Sequence, residues 1–297
     1  MLSLNTESER LKGFFALSIT AVLWSTGGLA IKLVDWNPVA ITGVRSAIAV
    51  AMLIAYRRRF RLPKTFSGWM AAVSNTLAML TFVVANKLTA SANVIFLQYL
   101  SPGFVAGLGI VILKEYPRRS DWLILCGLLG GMMLFFFDKL EPGETLGNVI
   151  SIISGVFLAL FIIFMKLNAE QGSKGRLPID NFITGHTIAA VISLPFIIGS
   201  KAPDAASIGG LCYLGVIQIG LASMLFAFGV SRVTALSTAI ITLLEPVLNP
   251  VWVYLFLGEI PTTNAMIGGV IIVVLVAVRS ALQVRKPRSR TSSIAEK

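Results

Sequence analysis

Residues 234–261 read TALSTAIITLLEPVLNPVWVYLFLGEIP, and residues 90–117 read ASANVIFLQYLSPGFVAGLGIVILKEYP. Laid over each other at a shift of 144, they match Pro246 to Pro102, Glu259 to Glu115 and Pro261 to Pro117. A helix that crosses lipid needs about 20 apolar residues, and the runs 90–113 and 234–257 both exceed that length. Each is interrupted by proline near its middle. A membrane-length segment that occurs twice, with the same interruption, points to a chain built from two related units.

Composition extends the reading to the whole molecule. Of 297 residues, 56% are hydrophobic and 13% charged, whereas a soluble domain carries about 25% charged residues on its water-facing surface. Ten runs are long enough, or nearly so, to cross a bilayer: 13–33, 38–56, 67–86, 90–113, 122–137, 147–166, 179–199, 208–229, 234–257 and 263–283. Backbone groups in lipid must be satisfied internally, and nothing alternates with the period of a barrel strand, so each run is predicted to be a helix. The run from Gly13 to Leu33 lacks a small-x-small cleavage site and reads as a retained span. Cys126 and Cys212 sit inside apolar runs without a spacing motif and are expected to be buried apolar side chains, with no metal or disulfide.

The net charge of +11 raises nucleic acid as a partner, but the cations form no stripe along one face. They gather in alternate loops and in the tail from Arg285 to Arg290. One side of the membrane holds 20 lysines and arginines; the other holds four, namely Lys32, Lys87, Lys139 and Lys201. Cytoplasmic loops carry the excess, so both termini are placed in the cytoplasm of a cell (inner) membrane and the span number is even. Anionic lipid headgroups are the expected partner of the Arg57–Arg61 cluster, and nucleic acid is excluded.

The internal repeat reaches beyond the two quoted runs. Gly13, Lys32 and Leu33 recur as Gly147, Lys166 and Leu167, and Ile41-Thr42-Gly43 recurs as Ile183-Thr184-Gly185. The expected organisation is a cytoplasmic N-terminus (1–12), a first repeat (13–137), a second repeat (147–283) and a basic cytoplasmic tail (284–297). Five spans per repeat is an odd number, so the second repeat must enter from the opposite side. Inverted repeats of this kind build secondary transporters, with the solute near the midplane between them.

Polar residues inside the spans are the candidates for that site. Thr238, Thr242, Glu245 and Asn249 share one face of the ninth span, with Pro246 and Pro250 among them. Proline cannot donate, so the carbonyls of Thr242 and Pro246 lose their helical partners, and Pro102 does the same for Gln98. Pro102, Pro246 and Pro250 are therefore the expected helix breaks. Glu245, the only acid deep in a span, reads as a proton-coupling or amine-binding group, or as an interhelical hydrogen bond. Arg45 is the matching deep cation; it suits a solute carboxylate, a pairing with Glu245, or structural anchoring. His186, the only histidine, reads as a satisfied buried imidazole. Trp24, Asn75, Gln98, Tyr99, Gln218, Thr242, Glu245 and Asn249 form the expected lining, with Ser25 and Thr26 nearby. Trp122 and Phe135–Phe137 are expected at lipid interfaces.

No enzyme, ATP-loop or metal motif is present in the sequence, so no catalytic residue, metal or cofactor is expected. At these residues the chain resembles the EamA-type branch of the drug/metabolite transporter superfamily. Leu23-Trp24-Ser25-Thr26 is similar to that family's Leu-Trp-Gly-Ser opening. Leu244-Glu245-Pro246-Val247 and Leu257-Gly258-Glu259 are similar to its ninth-span signature, and Arg45 falls where its first repeats often carry arginine. The resemblance spans about 13–283 and implies ten helices, two inverted repeats and alternating access around a central cavity. It departs at Ser25, where glycine is expected, and at Lys114, where glycine usually precedes the acid. The expected function is export of an amino acid or similar small organic metabolite, with protons as a candidate coupling ion and a homodimer as a candidate assembly. A multidrug or nucleotide-sugar-like carrier remains an alternative, as does a non-transporting membrane assembly or receptor subunit.

Overall fold

The computed structural model describes residues 7–32, 34–59, 61–140, 145–172, 178–258 and 260–285, and their regular structure is entirely helical. Lys174, Arg176, Glu259 and the basic tail beyond Arg285 lie outside the described residues.

The first span is α1 (Glu7–Ser25) followed by the short α2 (Gly27–Lys32). It starts within the segment expected to be a plain N-terminus, because Glu9 is held by Lys12 at 2.7 Å and by Arg232 at 2.9 Å. Next come α3 (Pro38–Arg57) and α4 (Phe66–Leu88). Asn37 and Thr65 cap them, accepting from the N–H groups of Val39 and Gly68, and Pro38 occupies the first turn of α3. The fourth span divides into α5 (Ser91–Gln98) and α6 (Ser101–Ile112), and the fifth is α7 (Arg119–Phe136). The second half opens with α8 (Thr145–Gln171), then α9 (Ile179–Ile192) and α10 (Leu194–Ile198). α11 (Ala205–Tyr213), a π-helical segment (Leu214–Leu221) and α12 (Ala222–Val230) make one rod. The ninth span divides into α13 (Ala235–Thr242) and α14 (Leu244–Leu257), and α15 (Thr263–Arg285) ends the described chain.

Among the described residues nine of these rods are long and apolar enough to cross a membrane. Residues 179–198 are helical as well, but the helix breaks at Ser193, ahead of Pro195, into pieces of 14 and 5 residues.

The two quoted runs break at matching places, Tyr99–Leu100 and Leu243. Pro102 and Pro246 fall in the first turn of the helix that follows, where a backbone N–H has no helical partner anyway. Pro250 is a correction: it lies inside α14, which continues past it.

Packing follows a pattern that survives exchange of residues 13–137 with 147–283. The first helix of the first half, α1, runs antiparallel to α12, with Gly13 facing Gly229 and Thr20 facing Ala222. The first helix of the second half, α8, runs antiparallel to α4, with Gly147 against Leu88 and Ser154 bonded to the Ala78 carbonyl at 2.9 Å. The second helices of the halves meet each other: Gly43 touches Ser193, Ser46 bonds His186, and Arg57 pairs with Asp180. So do the fifth: Asp121 pairs with Arg279, Gly131 packs on Gly268, and Asp138 accepts from Asn264. Apolar helices in lipid gain little from burying more apolar surface, so small residues that allow close approach carry the association. The repeated Gly13 and Gly147 are such contact points.

Two expectations about facing are corrected. Cys126 and Cys212 are exposed at the outside of the bundle. Phe135 and Phe136 are buried and packed on each other, with Phe136 also on Phe96, so that of these four residues only Phe137 and Trp122 remain at the surface.

The departure at Lys114 acquires a physical meaning. Gly258 ends α14 in the left-handed region, with φ 72°, and Lys114, its counterpart after α6, adopts φ 55°. An L side chain in that conformation costs about 1–2 kcal/mol, which glycine avoids. Lys114→Gly is accordingly expected to raise the melting temperature of the purified protein, and Gly258→Ala to lower it. A Lys114→Gly protein that melts below the native one would remove this account.

Candidate solute-binding site

Glu245 enters the interior where α13 stops and α14 begins. It is half-buried, because the break sets the first turn of α14 against neighbouring helices without closing it off. Tyr99 stands at the equivalent break between α5 and α6, and its hydroxyl is within reach of the Glu245 carboxylate. The two broken spans therefore meet through these side chains. Arg45, on α3, is near enough for its charge to act on Glu245 and on His186, but among the described residues no carboxylate lies within ion-pair distance of its guanidinium. His186 is buried and bonds the Ser46 hydroxyl at 3.2 Å, as expected of a satisfied imidazole.

The other expected residues divide between two neighbourhoods. Around the first-span break, the Gln218 amide donates to the Trp24 carbonyl at 3.4 Å and crowds Gly27, while Asn249 crowds Gly28. The Trp252 indole donates to Ser25 Oγ at 2.8 Å, and Thr26 bonds the Tyr213 hydroxyl at 2.9 Å. Ser25, the departure from the family's glycine, thus supplies an acceptor that glycine lacks. Ser25→Gly is expected to loosen the contact between the first and ninth spans, read as faster labelling of an engineered cysteine at Gly28; unchanged labelling would dissociate Ser25 from this fastening. The π-helical turn that carries Gln218 is a local widening often found at functional sites.

Gln98 behaves differently. Its side chain donates to Ser154 at 2.8 Å, and its carbonyl sits against Gly155 of α8, 2.8 Å from where a Cβ would be. The carbonyl that Pro102 frees is covered by helix packing. Asn75 borders Gly185 of α9, and Thr242 turns its hydroxyl back to the Ala239 carbonyl at 2.8 Å. Arg45 Nε, Asn75 Nδ2 and Gln218 Oε1 are buried without a hydrogen-bond partner among the described residues.

Sequence reasoning missed an aromatic series beside this interior. Trp24 stacks on Phe226 at 5.4 Å, Phe226 on Phe161 at 5.3 Å, and Phe161 meets Phe182, which stacks on His186 at 6.1 Å. Four helices contribute to it, so no single helical period announces it.

Two cavities open at opposite ends of the bundle. One of about 330 Å³ is bordered by Asp35, Trp36 and Lys201; the other, of about 180 Å³, by Arg61, Asn168 and Asp180. Neither includes a residue of the expected site. At the first, hydrogen bonding to Asp35 raises the Lys201 pKa above its ordinary value.

The sequence profile of the EamA-like transporter family matches twice, over residues 11–137 and 145–280. The chain belongs to the EamA-like transporter family. It is a multi-pass membrane protein and a transporter, in line with the resemblance seen at Trp24, Arg45 and Glu245. An uncharacterized transporter of Archaeoglobus fulgidus is 26% identical over 272 residues, covering 90% of this chain and 96% of the relative. The pseudopaline exporter CntI of Pseudomonas aeruginosa is 23% identical over 237 residues, covering 77% and 81%. A solved crystal structure aligns with a TM-score of 0.78 at 20% identity, covering 95% of this chain and 99% of that one; the likeness is one of fold.

Proposed function

We propose that this EamA-family transporter is a secondary carrier that exports an amino acid or similar small organic metabolite by alternating access. Ten helices in two inverted five-helix repeats, both termini cytoplasmic, form the frame. The tenth crossing is the interrupted 179–198 segment, which packs on α3 as its antiparallel counterpart.

The observation that carries this reading is the pair of deep charges set between exchange-related helices. Arg45 and Glu245 are half-buried at mid-span, neither in an ion pair among the described residues, where Tyr99 from the other broken span meets Glu245. Ionisable groups at that depth are costly and cluster where solute or protons pass. A bundle held together only by packing has no need of them. The proposed lining draws on Trp24, Asn75, Tyr99, Gln218 and Asn249, with Gln98 and Thr242 turned into helix packing behind it. A relative named as a pseudopaline exporter supports the outward direction. Absence of an ATP loop from the sequence favours gradient-driven exchange, with Glu245 as the proton-bearing group.

Counterflow in proteoliposomes is the test. Labelled amino acids are expected to accumulate against an unlabelled internal pool. Glu245→Gln is expected to lower that accumulation at least about tenfold, the loss for one charge-assisted hydrogen bond, and to flatten its pH profile. A monodisperse Glu245→Gln protein with native rate and pH profile would end the coupling role, and absence of counterflow with every amino acid would end the proposed substrate class.

A further inference from the structure

Arg45 is the feature that packing and orientation leave unexplained. It lies within the second span, and among the described residues its Nε is buried without a hydrogen-bond partner and no carboxylate stands within ion-pair distance. A guanidinium has five donors and stays charged, so leaving even its Nε unsatisfied in the interior is costly. Glu245, the obvious partner, is close enough to feel its charge but forms no ion pair with it, and the Tyr99 hydroxyl of another helix stands beside it. Two opposite charges that act on each other without forming an ion pair suit a third party that carries both signs.

Asn75 Nδ2 on α4 and Gln218 Oε1 in the second half are likewise buried without a hydrogen-bond partner among the described residues.

We infer that Arg45 and Glu245 form a bipolar clamp, Arg45 taking the carboxylate and Glu245 the ammonium of one solute, so that only molecules with both groups bind fully and in a single orientation. The inference rests on the carrier reading and narrows it: a lipophilic cation meets Glu245 but leaves Arg45 unpaired, and an uncharged sugar satisfies neither. Arg45 becomes the specificity-determining residue. The Trp24–Phe226 stack alongside makes an aromatic solute a suitable probe.

The experiment measures stabilisation of the purified full chain by L-phenylalanine, 2-phenylethylamine (no carboxylate), 3-phenylpropanoate (no amine) and phenylalanine methyl ester. The amino acid is expected to bind at least about tenfold more tightly than each of the other three, since each lacks one charge-assisted contact. Arg45→Gln should weaken the amino acid to the level of the amine while leaving the amine unchanged. Arg45→Lys should restore much of the preference, a readout that a purely structural arginine would not give. Glu245→Gln should produce the mirror result, with 3-phenylpropanoate unchanged. Equal binding of amine and amino acid to the native chain overturns the clamp, as does an equal loss of both in Arg45→Gln, or no stabilisation by any of the four. Should amino-acid counterflow persist alongside such a result, the carrier stands and only the clamp falls. If Arg45→Gln does not fold, the four-compound comparison on the native chain and the Arg45→Lys result decide the matter.

Discussion

Arg279→Met is expected to destabilise the protein by about 3–5 kcal/mol, the cost of stranding one member of a buried ion pair. Arg279 Nε lies 3.2 Å from Asp121 Oδ1, and the two side chains are only 7% and 6% exposed. Asp121 also accepts from the Arg118 N–H at 2.8 Å, closing the first turn of α7. With the Gln283 amide turned to suit its neighbours, its oxygen accepts from both terminal nitrogens of Arg279 at 3.2 Å and its nitrogen donates to Ser237 at 2.6 Å. Methionine fills much of the same space but leaves the Asp121 carboxylate buried with the α7 N-terminus as its chief remaining support. Thermal unfolding of the detergent-solubilised protein checks the expectation. Neutralising both partners, Asp121→Asn with Arg279→Gln, should recover most of the loss, because no charge is then stranded. If the single variant melts with the native protein, the pair does not fasten α7 to α15. If the double variant is as weak as the single one, the stabilisation comes from hydrogen-bond geometry and not from charge.

How far the sequence carries depends on which physical signal a residue leaves in it. Proline leaves a strong one: Pro102 and Pro246 mark the breaks that bring Tyr99 and Glu245 together. Pro250 looked equivalent and is absorbed within α14, since one missing N–H in mid-helix can be tolerated when neighbouring helices hold the rod. Repeated glycines were legible as repeats, and Gly13 and Gly147 prove to be contacts between helices of different spans. Facing was not legible. In a soluble helix the polar face shows which side is out, but here lipid-facing and core-facing positions are both apolar. Cys126 therefore read as buried when it is exposed, and Phe135 read as interfacial when it is buried. The π-helical turn at Leu214–Leu221 has no proline or polar cluster to announce it. Gln98 ends α5 beside the break, but its partner Ser154 lies 56 positions away, a pairing that only the tertiary arrangement supplies.

Gly268→Ala is expected to cost about 1–3 kcal/mol, the range for overpacking a closely fitted interface, although alanine is the better helix former. A Cβ on Gly268 would stand 2.5 Å from the Gly131 carbonyl oxygen and 2.5 Å from the Phe135 backbone nitrogen. Both are main-chain atoms, so relief requires α7 and α15 to separate along their length. Such a shift would loosen the Asp121–Arg279 pair at one end and the Asp138–Asn264 contact at the other. Gly130 provides the internal comparison: it lies on α7 beside Gly131, is exposed, and a Cβ added there would meet no atom of the described residues within 4 Å. Gly130→Ala is expected to be neutral or to stabilise by up to about 1 kcal/mol, the helix-propensity difference between the two residues. One chemical change, favoured by helix propensity at both positions but opposed by contact at only one, thus carries opposite signs, which melting temperatures of the two variants resolve directly. Two equal shifts would mean that intrinsic helix preference sets stability here; a loss confined to Gly268 would mean that backbone proximity between the fifth helices does.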